Sequence, residues 1–275
     1  MGKIIAFANQ KGGVGKTTSC VNVSAYLAAM GKKVLVVDID PQGNATSGYG
    51  LRKNKLQRSV YSLLIDGVSP IEAIHRTGVE NLFIIPSNID LAGAEVELVP
   101  FTEREKVLKK ILQRLKNEYD YICVDCPPSL GLLTINALTA ADSVLIPIQG
   151  EFFALEGLSQ LMNTIKLVKK HLNPSLEIEG VALTLYDPRS NLVQNVTDEI
   201  TKLFGKKVFS TKIPRNVRLG EAPSYGLPIM QYEPRCGGAL AYKALSEELL
   251  QRNNDKYTKI ASDRNLRKKL NQGDK

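Results

Sequence analysis

Hydrophobic positions along the chain alternate between short apolar runs and longer segments with helical spacing. Short apolar runs bounded by polar residues, glycine or proline predict strands at 3–9, 33–39, 82–86, 121–125, 143–147, 179–185 and 207–210. Apolar residues that recur every three or four positions predict helices near 16–30, 102–118, 131–141, 155–171, 190–204 and 238–252. Strands and helices are therefore predicted to alternate along almost the whole chain.

Several of the predicted strands are apolar on both faces. The segments VLVVDI (34–39) and SVLIPI (143–148) lack the alternation of a strand with one solvated face. This pattern predicts an α/β fold with a doubly wound, mostly parallel sheet and helices on both faces. No linker or repeat interrupts the alternation, so we expect a single domain over residues 1–253 and a basic, flexible tail over residues 254–275.

The composition is that of a soluble globular protein, with 275 residues, 43% hydrophobic and 23% charged. No apolar stretch approaches the roughly 18–20 residues of a membrane span, and the first residues do not have a signal-peptide pattern, so a cytoplasmic location is expected. Cys123 and Cys126 form a CxxC sequence on a predicted strand. We favour packed thiols there over a metal or redox site, because residues three apart on a strand point to opposite faces.

The excess positive charge lies in two segments. The chain carries a formal net charge of +8. Residues 251–275 hold eight basic and three acidic side chains and residues 187–218 hold seven and three, which leaves the remainder nearly neutral. A local basic surface suits a polyanion such as nucleic acid or anionic lipid, because phosphate contacts release counterions. A solvated face with a frayed tail accounts for the charge equally well.

A glycine-rich segment, NQKGGVGKTT (9–18), joins the first predicted strand to the first predicted helix. In such a loop, backbone N–H groups surround phosphate oxygens and the helix N-terminus adds partial positive charge. Lys16 is then expected to contact the β- and γ-phosphates, and the Thr17 hydroxyl to bind Mg²⁺. The predicted nucleotide contacts in this loop are Gly12, Gly13, Val14, Gly15, Lys16, Thr17 and Thr18.

Aspartates stand at the ends of two further predicted strands. Asp38 and Asp40 close the second strand, and Asp125 ends the strand at 121–125. The carboxyl ends of parallel strands meet at one sheet edge, beside a phosphate bound by the first strand–helix turn. Asp125 also resembles the Walker B aspartate of nucleotide-binding proteins, which implies that it holds Mg²⁺ directly or through water. Each aspartate alone could instead be a helix cap or a turn former.

The loop also contains a second lysine, in KGGVGKTT (11–18), and Gln10 where the usual Walker A pattern has glycine. It resembles the deviant Walker A motif of the ParA/MinD superfamily of ATPases. Three further segments resemble the chromosomal ParA proteins of the Soj type: VDIDPQGNATSG (37–48), DCPPSLG (125–131) and VRLGEAPSYGLP (217–228). The resemblance covers nearly the whole chain. It implies a P-loop NTPase fold of the deviant Walker A type, and a protein that hydrolyses ATP with Mg²⁺.

Specific roles follow from this resemblance. It implies that Lys11 is the signature lysine, which reaches the nucleotide of a partner subunit, and that Lys16 and Asp40 complete the catalytic set. Asp40 is expected to position the attacking water and to share the Mg²⁺ shell with Thr17 and Asp125. Asp38 is expected to help order that shell. Two further sets follow: Gly12 and Lys11 at the dimer interface, and Pro214, Arg215 and Asn216 at the adenine.

The family further implies an ATP-dependent homodimer that binds double-stranded DNA without sequence preference. A ParB-type partner protein then stimulates hydrolysis and releases the DNA, so a nucleoid-associated location is expected. The matching DNA-binding positions are Arg189 and Arg218, with Arg215 and the pair Lys206 and Lys207 as weaker additions. Few aromatic residues lie nearby, which argues against stacking on single strands.

Two other functions are weighed against this one. The first is a MinD-like, membrane-associated positioning ATPase. Membrane binding is not expected, because the apolar residues of 256–270 are too sparse for a helix on a membrane surface. The second is a phosphotransferase or ligase on the same scaffold, which would need its own acid and base residues, and the sequence suggests none.

Overall fold

A seven-stranded sheet forms the centre of the protein in the computed structural model, which describes residues 2–255. Its strands are β1 (Lys3–Phe7), β2 (Val34–Asp38), β3 (His75–Arg76), β4 (Leu82–Ile85), β5 (Tyr121–Asp125), β6 (Ser143–Gln149) and β7 (Glu177–Thr184). Their spatial order is β3-β4-β2-β5-β1-β6-β7, and only β3 runs antiparallel to its neighbour. The expectation of a mostly parallel, doubly wound sheet is therefore confirmed.

Helices cover both faces of the sheet. They are α1 (Lys16–Ala29), α2 (Asn44–Gly48), α3 (Val60–Leu64), α4 (Pro70–Ala73), α5 (Leu91–Glu97), α6 (Val107–Leu115), α7 (Leu132–Ala140), α8 (Ala154–His171), α9 (Asn191–Phe204), α10 (Val217–Glu221), α11 (Ile229–Tyr232) and α12 (Gly237–Arg252). Helices α1, α11 and α12 pack on one face, whereas α6 to α9 pack on the other. No helix within residues 2–255 is long and apolar enough to cross a membrane.

Alternate side chains of each strand enter two different cores. In β1, Ile4 and Ala6 join the core under α6 to α9, whereas Ile5 and Phe7 join the core under α1 and α12. Cys123 and Cys126 are likewise buried in opposite cores as free thiols. The described part of the chain contains no group of three or more metal-ligating His, Cys, Asp or Glu side chains. The CxxC sequence is thus a packing feature.

The predicted strand at 207–210 is wrong. Residues 205–207 form a 3₁₀ turn, and only an isolated bridge joins Val208 to Val181 of β7. The reason is a contact remote in sequence. Arg252 donates to the carbonyls of Lys207 and Val208 at 3.2 and 2.7 Å, and its guanidinium lies over the Phe209 ring. These carbonyls are thereby satisfied without a ladder.

The predicted helix at 102–118 is shorter than expected. A 3₁₀ turn at Arg104–Lys106 precedes α6. The Asn136 side chain of α7 accepts from the Leu108 backbone N–H at 3.1 Å and donates to the Arg104 carbonyl at 2.8 Å. A side chain from α7 therefore fixes where α6 begins.

The carboxyl ends of the central strands bring the predicted site together. Asp125 pairs in register with Asp38 on one side and with Phe7 on the other. The loop that follows Phe7 therefore lies beside both aspartates, as the parallel pairing predicted.

Candidate nucleotide site

The glycine-rich loop between β1 and α1 adopts a backbone conformation that favours glycine at two of its positions. Gly13 and Gly15 have φ of 74° and 78°, in the left-handed region where a side chain is strained. Asn9 fixes the start of the loop: its amide donates to the Pro147 carbonyl at 2.7 Å, and its Oδ1 accepts from the Lys11 N–H at 3.0 Å. Gly15 then directly precedes α1, so the loop ends at a helix N-terminus.

A cavity of about 600 Å³ opens at this helix N-terminus, which is within the ordinary size range of small-molecule sites. Of the predicted residues, those on its wall are Gly12, Gly13, Gly15, Lys16, Thr17, Thr18, Asp40, Pro214 and Asn216. Lys11, Val14, Asp125 and Arg215 are not among the described residues on this wall. The loop and the segment expected to meet the adenine thus face one cavity, although they are about 200 residues apart.

Lys16 is buried at the floor of the loop, with only 6% of its surface exposed. Its Nζ donates to the Lys11 carbonyl at 2.9 Å. Burial lowers the pKa of Lys16, and the carboxylates of Asp125 and Asp40 partly offset that effect. The ammonium group therefore lies where an anionic group in the cavity would compensate its burial.

Asp125 carries a buried carboxylate without a partner. Neither of its side-chain oxygens makes a hydrogen bond to any described residue. Burial and the neighbouring Asp38 raise the pKa of Asp125 well above its ordinary value, whereas Thr17 and Lys16 act in the opposite direction. A buried, unpaired carboxylate is costly unless a cation compensates it. Two oxygen donors, Asp125 and the nearby Thr17, fit a hard cation such as Mg²⁺.

The two aspartates of the loop after β2 differ in their contacts. The Asp38 carboxylate accepts from the backbone N–H and the hydroxyl of Thr46 at 2.8 and 2.7 Å, and from the Asp40 N–H at 3.2 Å. Burial nevertheless raises the pKa of Asp38 to about 6. Asp40 accepts from the Gln42 N–H at 2.9 Å and lies on the cavity wall. Asp38 therefore orders the loop that presents Asp40 to the cavity.

Lys11 does not line the cavity of its own protomer. Its ammonium forms an ion pair with Glu151, which follows β6. About a third of the Lys11 side chain and 45% of the Glu151 side chain are exposed. At Gly12, an added Cβ would have no atom of the protomer within 4 Å. The outer rim of the loop is thus open, and its lysine is held by a contact at the surface.

Sequence reasoning missed several residues around the loop. The Thr184 hydroxyl, at the end of β7, donates to the Val14 carbonyl at 2.7 Å, and Thr184 lies on the cavity wall. Tyr242 of α12 also lies on the wall, and its hydroxyl is 3.0 Å from that of Ser19. The remaining wall residues that were not predicted are Asn44, Pro128, Leu185, Val217, Leu219, Gly220 and Glu221. No short motif marked Thr184, Tyr242 or Glu151, because each reaches the loop only through the fold.

Three arginines predicted to contact DNA lie at the cavity edge of the sheet. A bridge between Tyr186 and Pro214 joins the segments that carry Arg189 and Arg215. Arg189 pairs with Asp187 through two bonds of 2.9 and 2.8 Å. Arg189 and, to a lesser degree, Arg215 hold the pKa of that carboxyl at about 2. Arg218 pairs with Glu221 at 2.7 Å. Two carboxylates thus offset much of the positive charge that one protomer presents here.

The pair Lys206 and Lys207 lies at the other end of β7. Both line a surface cavity with Lys3 and Glu177, where β7 begins, whereas Arg189 follows the end of that strand. An eight-residue strand spans roughly 26 Å. The structure therefore divides the basic segment 187–218 between two edges of the sheet.

Comparisons with known proteins agree over most of the chain. Residues 2–178 match the family model described as AAA domain. Sporulation initiation inhibitor protein Soj of Bacillus subtilis (strain 168) is 61% identical over 249 residues, which are 90% of this chain and 98% of that protein. Chromosome-partitioning ATPase Soj of Treponema pallidum (strain Nichols) is 54% identical over 92% of this chain and 98% of its own length.

A solved structure of cobyrinic acid a,c-diamide synthase from Mycobacterium smegmatis, with bound ADP and magnesium, superposes with a TM-score of 0.81. It is 38% identical and covers 92% of this chain and 96% of its own. The fold at the P-loop is therefore shared with a protein that holds a magnesium nucleotide.

Proposed function

Because this chain belongs to the Soj/ParA family of chromosome-partitioning ATPases, we propose that its ATP-bound homodimer binds double-stranded DNA and releases it after hydrolysis. The chain is an ATP hydrolase of this family. The observation that carries the proposal is the arrangement at the P-loop. Lys16 faces the cavity, whereas Lys11 lies outside it, beside an open Gly12.

ATP occupies the P-loop cavity in this proposal. Lys16 and the backbone of Gly13 to Thr18 hold the phosphates at the start of α1, and the adenine lies against Pro214 and Asn216. Thr17 and Asp125 hold Mg²⁺, which neutralises phosphate charge when bound. Asp40 orients the attacking water, since its carboxylate lies on the cavity wall and acts on Lys16, whereas the other wall carboxylate, Glu221, is paired with Arg218. The unpartnered oxygens of Asp125 support this assignment.

A second copy of the chain completes the site. Lys11 leaves Glu151 and contacts the phosphates bound by the partner protomer. A cation brought in this way to a phosphoryl-transfer transition state contributes about 10³–10⁵ in rate in other NTPases. The surroundings of Gly12 leave room for such a contact, because an added Cβ at this position would have no atom of the protomer within 4 Å.

The DNA-binding surface is formed by Arg189, Arg215 and Arg218 of both protomers. Dimerisation doubles a charge that is modest in one protomer because Asp187 and Glu221 offset part of it. Contacts of this kind address phosphates and carry no sequence information. They also predict strong salt dependence, with a slope of about 0.9 for each neutralised phosphate. Lys206 and Lys207 lie outside this surface.

A ParB-type partner stimulates hydrolysis and ends the DNA-bound state, which places the protein in the cytoplasm at the nucleoid. Residues 1–253 act as one ATPase domain in this proposal. The tail after residue 253 adds positive charge; its residues 256–275 lie outside the described part of the chain. The MinD-like alternative shares the hydrolysis and differs in the anionic surface bound.

The experiment measures binding of a fluorescent DNA duplex by Asp40→Ala protein with ATP across a salt series. Arg218→Glu in that background is expected to weaken binding at least tenfold and to lower the salt slope, with ATP affinity unchanged. Lys206→Glu is the matched control, because it reverses a charge in the same basic segment at the opposite sheet edge. Equal losses in both variants would contradict the assigned surface. Binding to anionic vesicles without binding to DNA would favour the MinD-like function.

A further inference from the structure

Helix α5 and its flanks carry an apolar stripe on their exposed side. Ile89, Ala92, Val96 and Val99, hereafter the α5 stripe, are spaced by three, four and three positions, and all are exposed. The exposed fractions of Ile89, Val96 and Val99 are 67%, 73% and 55%. The opposite side, Leu91, Ala94 and Leu98, is fully buried in the core.

This spacing is that of a helix with two apolar faces. Turn hydrogen bonds from Ala92 to Ile89 and from Val99 to Val96 continue the helical path beyond the ends of α5. The α5 stripe is therefore about 15 Å long. A repeat of three and four positions is the seam by which one helix packs against another. Among residues 2–255, no second helix packs on this seam, since its apolar side chains face solvent.

The segment of chain that carries the α5 stripe is acidic in a basic protein, although one of its carboxylates, Glu103, is paired with Lys106 and Lys110. Residues 77–103 contain five Asp and Glu and no Lys or Arg, whereas the whole chain carries +8. Asp90 and Glu97 are exposed beside the stripe. The next cation along the chain, Arg104, is engaged by the Val99 carbonyl at 3.1 Å and by the Glu105 carboxylate. A partner for this surface must therefore be apolar on one side and basic around it.

Two hydrogen bonds join the segment to helices α2 and α7, which follow the loops of the nucleotide site. The Ser87 N–H donates at 2.9 Å to the Thr46 hydroxyl, which in turn donates to Asp38. Glu95 accepts at 3.3 Å from the Leu133 N–H, in the first turn of the helix that follows the Asp125 loop. Movement of α5 would consequently reach the Asp40 loop through Asp38 and the Asp125 loop through α7.

We propose that the α5 stripe is the docking surface for a basic amphipathic helix of the protein that stimulates hydrolysis. The inference rests on the proposed function and adds the place and the chemistry of the contact. Nucleic acid and anionic lipid do not fit, because this segment is acidic and would repel phosphate. A second copy docking by the same face would bring like charges together. A basic helix satisfies both the apolar seam and the carboxylates around it.

The test measures phosphate release from ATP by the full chain, with duplex DNA alone and with DNA plus a purified ParB-type protein. Val96→Lys and Ala92→Lys place a cation in the α5 stripe at exposed positions, so the fold is expected to persist. Leu167→Lys on α8 is the control, since Leu167 is an exposed apolar residue outside the α5 stripe, with 61% of its surface exposed. Both stripe variants are expected to keep the DNA-only rate and to lose at least about tenfold of the stimulation. The control is expected to respond like the wild type.

The outcomes separate the two claims. Full stimulation of Val96→Lys and Ala92→Lys, with a wild type that responds, would overturn the docking surface and leave the proposed function intact. A wild type that shows no stimulation would contradict the proposed function, and the docking surface with it. Loss of the ATP-dependent dimer in Val96→Lys, seen by light scattering, would identify the stripe as a self-interface and overturn the proposal. A raised DNA-only rate in that variant would do the same, by indicating that the chain itself covers the stripe.

Discussion

The ion pair between Lys11 and Glu151 restrains the signature lysine within its own protomer, and its removal should favour the dimer. In Glu151→Ala the Lys11 ammonium loses its partner and becomes free to reach a second copy. The pair is partly exposed, with 32% and 45% of the two side chains accessible. Such pairs contribute about 0.2–1 kcal/mol each. A dimer breaks two of them, so we expect its dissociation constant to fall by about 2–30-fold.

The assay is sedimentation of Asp40→Ala protein with saturating ATP, which suppresses turnover while the dimer forms. Glu151→Ala in this background should reach half-dimerisation at a lower protein concentration. Glu177→Ala is the matched control, because Glu177 forms an exposed pair with Lys169 at the opposite sheet edge. A midpoint for Glu151→Ala that equals the control, or lies at a higher concentration, would refute the restraint by Glu151.

Three further changes test the nucleotide site. Lys16→Ala should weaken binding of a fluorescent ATP analogue by about 10–100-fold, because a buried charged donor to the phosphates is lost; unchanged affinity would contradict the P-loop assignment. Asp40→Ala should still bind ATP and dimerise, and its rate of hydrolysis should fall by about 10²–10⁴-fold. A variant that stays monomeric with ATP in light scattering would contradict the assignment of Asp40 to the hydrolysis step. The pKa of Asp38 is near 6 in the folded protein against 3.8 ordinarily. Between these pH values the folded state binds more protons than the unfolded state, so the free energy of unfolding should fall as pH rises from 4 to 6. Urea titrations in which the free energy of unfolding of Asp38→Asn falls as steeply with pH as that of the wild type would contradict this.

Features that depend on neighbouring residues were predictable from the sequence. The strand at 121–125 was predicted with its correct bounds, because a short apolar run that ends in aspartate is typical of a buried parallel strand. The P-loop was also predictable from local sequence, because its glycines occupy backbone conformations that other residues avoid. Residues 16 to 18 and Asp40 consequently line the cavity as expected.

Features that depend on remote contacts were not predictable in the same way. Arg252 satisfies the carbonyls of Lys207 and Val208, which removes the predicted strand there. Thr184 reaches the P-loop only because β7 ends beside it. The basic segment 187–218 gave no sign that β7 and α9 would place its lysine pair and its arginines at opposite edges of the sheet. A count of charges along a chain therefore overstates the surface that one partner can contact.

The central claim is that the ATP-bound homodimer is the form that binds DNA. Its most direct test is light scattering of Gly12→Val and wild-type protein with a DNA duplex, with and without ATP. An added Cβ at Gly12 meets nothing in the protomer, so the variant should fold. Because Gly12 also lines the cavity, unchanged binding of a fluorescent ATP analogue by the variant is the control that assigns a lost dimer to the contact with a second copy. We predict that the wild-type protein dimerises and binds the duplex only with ATP. Gly12→Val is expected to stay monomeric and to leave the duplex unbound, with or without ATP. A wild-type monomer that binds the duplex tightly without nucleotide would contradict the account.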